Sequence, residues 1–312
     1  MISFIIKRVL LIIPIMFVVS FLVFTILRLG PVNPAQAYLL NSRIPPTEEA
    51  LKVTRAELGL DKPFFTQYAI WLKGAVTLDF GKSYMTKRDA LGDLIYYFPT
   101  TLKITFLAMI MVVIVSIPLG ILGAVKKDSI ADKLVKLFSF IGVSTPSFWF
   151  GFLLIYLFAL KLNILPPFGF EGISSYIMPI LTLGLMSSAI NIRITRTSFL
   201  EHINGRSAKY LKVHGVSEKT IMGKYVLKNS MIPVVTSLGM HFGELIGGAV
   251  VVEVLFALPG VGRYVVSSIT NHDYPVIQCF MILMTAVFII VNLIIDIIYV
   301  YLNPKIKYGS II

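Results

Sequence analysis

The sequence predicts an all-α membrane protein with six transmembrane helices. Three observations carry that prediction. Of 312 residues, 56% are hydrophobic and only 14% are charged, whereas a soluble domain carries about a quarter. Six apolar runs approach the roughly 20 residues that cross a bilayer core. The Lys and Arg residues gather in the segments between alternate runs, the pattern that sets helix orientation in a bilayer. The net charge of +12 is spread over loops and not gathered on one polar domain, so a lipid bilayer is the expected partner and nucleic acid is not. The single cysteine, Cys279, excludes an intrachain disulfide.

The first run, Val9–Leu27, is uncharged and flanked by Lys7, Arg8 and Arg28. Ala35-Gln36-Ala37 resembles a leader cleavage site. The run is too long for a leader, however, and Arg28 intervenes. Residues 1–28 therefore read as an N-terminus and first transmembrane helix. Residues 29–98 form a mixed polar segment with Pro31, Pro34, Pro45, Pro46 and Pro63, long enough for a small subdomain. Within it, Thr47 caps an amphipathic helix ending near Leu58, and Trp71, Phe80 and Tyr84 are candidate interfacial anchors. Residues 99–304 hold five further runs: Ile104–Val125, Leu137–Leu160, Tyr176–Ile192, Met231–Phe256 and Pro275–Tyr301. Ala257–Tyr274 reads as a Gly/Pro turn containing Pro259 and Gly260. Residues 305–312 are a basic tail.

Six spans place both termini on one side. With that side inside, Lys7, Arg8, Lys126, Lys127, Lys133, Lys136, Arg193, Arg196, Lys305 and Lys307 all lie inward. So do the bases of 199–230, and the acids there are only Asp128, Asp132, Glu201 and Glu218. The termini and the 199–230 loop are thus expected in the cytoplasm and 29–98 outside, in a multi-pass cell-membrane protein.

The loop contains a basic island, Arg206–Pro233. Arg206, Lys209, Lys212, Lys219, Lys224 and Lys228 face one acid, Glu218. Leu211, Ile221, Met222, Tyr225 and Val226 recur at helical spacing. Gly215 falls where a helix C-cap belongs, because glycine takes the left-handed conformation at no steric cost. Ser217 follows as an N-cap for a second helix. The island reads as a docking element.

No phosphate-binding G-x-x-x-x-G-K-[ST], H-E-x-x-H, C-x-x-C or G-x-S-x-G occurs. Nothing here hydrolyses a nucleotide or a peptide, so any energised work draws on a partner. The fifth run carries Gly239, Gly243 and Gly247 at every fourth residue, a face without side chains that suits close helix packing. His241 and Glu244 point away from it. A charge in the bilayer core needs water or a partner, so Glu244 reads as a pathway residue, with a structural interhelical pair as its alternative. His241 stands open between the two, and Glu253 lies nearer the outer end as a pathway, capping or snorkelling group. His272, Asp273 and Cys279 gather at the expected outer mouth. Their spacing matches no fixed metal site, and a loop His-Asp with a buried Cys is the favoured reading. A membrane receptor would need a cytoplasmic output domain, for which the inner loops are too short. An intramembrane enzyme would need a nucleophile beside His241 and Glu244, and none is there.

The island resembles the cytoplasmic loop that ABC importer permeases present to their ATPases. Gly215, Asn229 and Pro233 match the helix–Gly–helix and the Asn and Pro that open the next span. Where that family carries Glu-Ala-Ala ahead of the glycine, this chain has Lys209-Tyr210-Leu211. The stretches IIKRVLLIIPIMFVVSFLVFTILRLGPVNP, GLDKPFFTQYAIWLKGAVTLDFGKSY, STPSFWFGFLL and LPGVGRYVVSSITNHDYPVIQ resemble the dipeptide/oligopeptide/nickel branch. GMHFGELIGGAVVVEVLFALPGVGRY with NHDYPVIQCF looks most like its nickel-importing members, while relatives carrying peptides or metal–metallophore complexes share most of these motifs. The resemblance implies a type I ABC importer permease architecture. It implies a second similar permease, two ATPase subunits and an extracellular substrate-binding protein as partners. It implies ATP and Mg used by the ATPases, with no cofactor on this chain. It also implies that the Arg206–Asn229 element is pulled to switch a pore.

Overall fold

A computed structural model of the chain describes residues 2–169 and 172–302. Its helices are α1 (Ile2–Leu29), α2 (Pro34–Asn41), α3 (Glu48–Glu57), α4 (Phe64–Val76), α5 (Ala90–Val125), α6 (Ile130–Ser144), α7 (Ser147–Leu154), α8 (Ser174–Ile203), α9 (Arg206–Val213), α10 (Glu218–Thr220), α11 (Leu227–Leu255), α12 (Val261–Thr270) and α13 (Tyr274–Leu302). Among the described residues no strand forms, and one isolated bridge joins Lys82 to Asp89. The basic tail lies outside the described residues. The chain divides into two compact units. One comprises Leu102–Leu258 and the described residues from Val291; the other comprises Ile2–Thr101 and Pro259–Ile290.

Among the described residues, five helices are long and apolar enough to cross a bilayer. The expected third span differs. It is a bent pair, Ile130–Ser144 and Ser147–Lys161, meeting at 104°. Pro146 explains the break: a proline ring clashes with a helical residue before it, and Thr145 accordingly takes φ −97, ψ 123. The fourth and fifth spans run past their apolar stretches. Helix α8 continues to Ile203, and Glu218–Leu255 is one 38-residue helical stretch. Its Ile221–Val226 portion is π-helical, with the Leu227 N–H donating to Met222 O. Helix α5 begins at Ala90, so the 29–98 segment ends inside it. The expected Gly/Pro turn at 257–274 contains α12.

In the first unit α8 is the element the others approach. An added Cβ on Gly120 of α5 would stand 2.5 Å from Thr195 Cβ, and one on Gly142 of α6 would stand 2.6 Å from Ala189 Cβ. These helices therefore touch almost backbone to backbone. Ile104, Ala108 and Val112 of α5, Met178 and Leu183 of α8, and Val234, Leu238, Leu245 and Ala249 of α11 fill the shared core. A latch ties α6 to α8. Asp132, fully buried, accepts from Arg196 Nε at 2.6 Å and Nη2 at 2.9 Å, and Lys136 Nζ stands 2.9 Å from it.

The second unit is built on aromatic rings. Phe17, Phe21 and Phe24 of α1 meet Phe64, Tyr68 and Trp71 of α4 in edge-on and tilted contacts. Ser20 and Tyr68 share a hydrogen bond of 2.8 Å. Helix α3 is capped by Thr47 as expected. Phe80 and Tyr84 are not interfacial anchors: both are buried, while Trp71 packs on the same core as Phe80. Burial pushes the Tyr84 hydroxyl up to about 12, so it stays protonated. Ala35 and Ala37 are buried within α2.

Asp132→Ala leaves Arg196 without its carboxylate between two helices, a loss of about 3–5 kcal/mol. The melting temperature of the detergent-solubilised chain should fall accordingly. A melting temperature unchanged from wild type would show that the latch contributes nothing.

Candidate functional site

The basic island folds as α9, a glycine turn and α10. Gly215 has φ +76, a left-handed conformation that favours glycine. The Val216 N–H donates to Leu211 O and the Gly215 N–H to Lys212 O, both at 3.1 Å, the paired closure of a Schellman C-cap. Ser217 then caps α10, accepting from the Thr220 N–H at 3.4 Å. Ala208, Ile221 and Val226 bury against Phe199 and Ala124, which staples the island to the ends of α5 and α8. Burial of each large apolar side chain is worth about 1.5–3 kcal/mol, so the element is held as a rigid knob.

The outer face of the knob is exposed. Arg206, Lys209, Lys212, Gly215, Ser217 and Glu218 all face solvent, and Lys212 Nζ lies 3.5 Å from Glu218 Oε1. Two apolar side chains stand among these charges, Tyr210 at 62% and Val213 at 85% exposure. A cleft of about 310 Å³ is lined by Glu201, His202, Ser207, Tyr225 and Asn229. Asn229 and Pro233 do not begin a new helix. Both lie inside the continuous helix, where Pro233 lacks the N–H that would reach Asn229 O four residues back.

Helix α11 carries the second group of candidates. His241 Nδ1 stands 2.7 Å from Glu244 Oε2, and His241 is buried whereas the Glu244 side chain is 69% exposed. His241 Nε2 is buried without a hydrogen-bond partner. Glu244 opens onto a groove of about 550 Å³ between α8 and α11, with Ile190, Ile194, Thr236 and Met240 in its walls. Pro233, Met240, Glu244, Gly247, Val251 and Val254 form one exposed stripe at helical three-four spacing. A carboxylate on such a stripe cannot face hydrocarbon, so the stripe faces water or another protein. Glu253 departs from the expectation of a pathway residue: it is fully buried in this chain. The glycine face is used in part. A Cβ on Gly239 would stand 2.5 Å from Ile295, Gly243 is half-buried, and Gly247 has open space before it.

The expected outer-mouth residues separate by role. Asp273 is buried and accepts from Ser83 Oγ at 2.5 Å, the Tyr84 N–H at 2.9 Å and the Met85 N–H at 3.2 Å. It pins the 83–85 turn. His272 is exposed with φ +53, and Cys279 is buried beside Phe80 and Leu94. Pro259 precedes Gly260, which caps α12, and the Val261 N–H donates to Thr101 Oγ1 at 2.9 Å. Among the described residues no three His, Cys, Asp or Glu side chains come together as a metal site. The Asp132–Arg196 latch escaped the sequence reading. Its signal was an acid four residues before Lys136 in an otherwise basic turn.

Two families match the chain. One is described as binding-protein-dependent transport system inner membrane component, over residues 116–308, and the other is its N-terminal counterpart, over residues 1–105. The glutathione transport system permease protein GsiC of Escherichia coli (strain K12) is 38% identical over 308 residues, covering 99% of this chain and 100% of that protein. The protein of the same name from Shigella flexneri serotype 5b (strain 8401) is 37% identical over the same extent. A crystal structure of an amino acid ABC transporter with histidines shares the fold, with a TM-score of 0.52 and 16% identity over 69% of this chain and 94% of that one.

Asp273→Ala removes the acceptor for three donors, two of them buried, and should cost about 2–4 kcal/mol. Backbone hydrogen exchange at 83–88 should rise while nickel(II) affinity stays unchanged. A drop in nickel affinity with no change in exchange would restore a metal role to this residue.

Proposed function

This chain belongs to the family of binding-protein-dependent inner membrane transport components, the permeases of ABC importers, and on that premise we propose that it translocates short peptides of the glutathione class. It is a transporter subunit without an ATPase site. ATPase and binding-protein partners come with the family. We assign it one similar permease and two ATPase subunits, which supply ATP and Mg chemistry, and an extracellular binding protein that delivers cargo to the 29–98 side. The termini and Arg206–Asn229 lie in the cytoplasm.

One observation carries the coupling role: a Schellman-capped, cationic knob with Tyr210 and Val213 exposed at its tip. Such a surface suits a cleft of mixed acidic and apolar character on an ATPase. The continuous stretch from Glu218 to Leu255 carries displacement of the knob to Glu244, roughly 39 Å along the axis at 1.5 Å per residue. The exposed carboxylate of Glu244 suits the ammonium group of a passing peptide.

The cargo follows the relatives, whose printed activity is glutathione transport. The nickel reading retains one specific observation, the imidazole of His241 beside Glu244. Uptake into proteoliposomes holding the whole assembled transporter separates the two. Labelled glutathione or dipeptide should accumulate and unlabelled peptide should compete. Nickel(II) uptake indifferent to peptide would overturn the peptide reading.

Gly215→Pro forces φ near −65° where +76 is required. Stimulation of the ATPases by loaded binding protein should fall about tenfold, on the scale of one coupling free energy, with the subunit still assembled. Undiminished stimulation would remove the docking role. Glu244→Gln should slow peptide uptake with assembly intact, and a normal rate would return Glu244 to a structural role.

A further inference from the structure

A cleft of about 320 Å³ between α6 and α8 belongs neither to the knob nor to the groove at Glu244. Lys136, Arg193 and Arg196 line it, with the Thr197 hydroxyl beside them. One carboxylate, Asp132, is ion-paired with two of these cations, Arg196 and Lys136. Arg193 is exposed and makes no hydrogen bond or ion pair among the described residues. The cleft therefore holds an excess of positive charge and a guanidinium with a full set of free donors, the group best matched to a phosphate.

Its depth is equally specific. At 1.5 Å per residue from Ser174, Arg193 stands roughly 28 Å along α8, close to the hydrocarbon thickness of about 30 Å. Beyond it the helix carries polar residues to the knob. On the bilayer side Phe140 lines the same cleft at 69% exposure, and Leu137 and Ile141 continue the apolar face of α6. Cations thus sit at headgroup level directly above a surface for acyl chains.

We propose that this cleft binds the headgroup of an anionic phospholipid of the cytoplasmic leaflet, Arg193 and Lys136 holding the phosphodiester while the acyl chains lie along Phe140. Basic pockets between transmembrane helices on the cytoplasmic side are suited to such headgroups. The proposal rests on the cytoplasmic assignment of the Arg206–Asn229 side. Occupancy would bridge α6 and α8 beside the Asp132 latch and brace the base of the knob.

The test is native mass spectrometry of the full chain released from nanodiscs of equal phosphatidylglycerol and phosphatidylcholine. Wild type should retain phosphatidylglycerol preferentially. Arg193→Gln and Lys136→Gln should each reduce the preference about fivefold, the weight of one cation at a charged surface. Lys133→Gln, on the same helix but outside the cleft, should leave it unchanged. Equal retention of both lipids by wild type, or an equal loss in Lys133→Gln, would overturn the site. A second arm titrates inorganic phosphate into phosphatidylcholine nanodiscs. An Arg193-dependent rise in melting temperature matching that given by phosphatidylglycerol would reassign the cleft to soluble phosphate and overturn the lipid proposal. None of these readouts measures transport. A chain that fails to import peptide yet keeps its lipid preference fails only the functional reading, and the reverse result fails only this one.

Discussion

Close approach of neighbouring helices to α8 is the constraint on which the first unit depends. Hydrocarbon does not drive apolar helices together as water does, so association rests on contact area and on polar bonds between helices. Gly120 and Gly142 supply the contact by removing the side chains that would hold α5 and α6 away. The Asp132–Arg196 pair then supplies a bond that works only at that separation. Spread the helices by the width of one methyl group and the bidentate geometry is lost. The groove wall of Ile190 and Ile194 and the platform of Phe199 stand on the same helix, so groove and knob inherit one reference frame.

Rigidity is distributed unevenly along the path from knob to groove. The knob is stapled by a small apolar cluster and closed by a Schellman cap. The stretch that follows has no break at Asn229 or Pro233. Under the proposed coupling role, a stretch built this way would transmit displacement without absorbing it. Its one irregular section is the π-helical Ile221–Val226, a device that recurs near functional sites in helices. The abrupt bend in the first unit lies elsewhere, between α6 and α7, where Pro146 makes it unavoidable.

Much of this was legible in the residues. Gly215 and Ser217 were readable as caps because both signals are local, each set by one residue's backbone preference. The apolar runs were readable because length and hydropathy decide them. The bend at Thr145–Pro146 was written in one dipeptide and was masked by the apolar run around it. Asn229 and Pro233 start no new helix because a proline in a long helix can be tolerated when neighbours stabilise it. The burial of Asp273 and Glu253 was not legible, for a common reason. A sequence shows that a carboxylate exists, whereas its role depends on donors distant in the chain, such as Ser83 for Asp273. Phe80 and Tyr84 were misjudged likewise, since aromatic rings suit an interface and a core equally well.

The π-helical section has a consequence for angular phase. Each residue turns a regular α-helix by about 100°, so the direction in which Glu244 points is set by the residue count between it and the knob. Adding or deleting one residue in the regular helix between Leu227 and His241 would change the helix length by little more than an ångström. It would also rotate Glu244 and the whole exposed stripe by more than a quarter turn, toward the packed core or toward lipid. Length is therefore a forgiving variable in this segment and residue number is not. On the proposed coupling route that regular stretch sets the phase between knob and groove, and the π turn ahead of it is where a residue is gained or lost with least rotation.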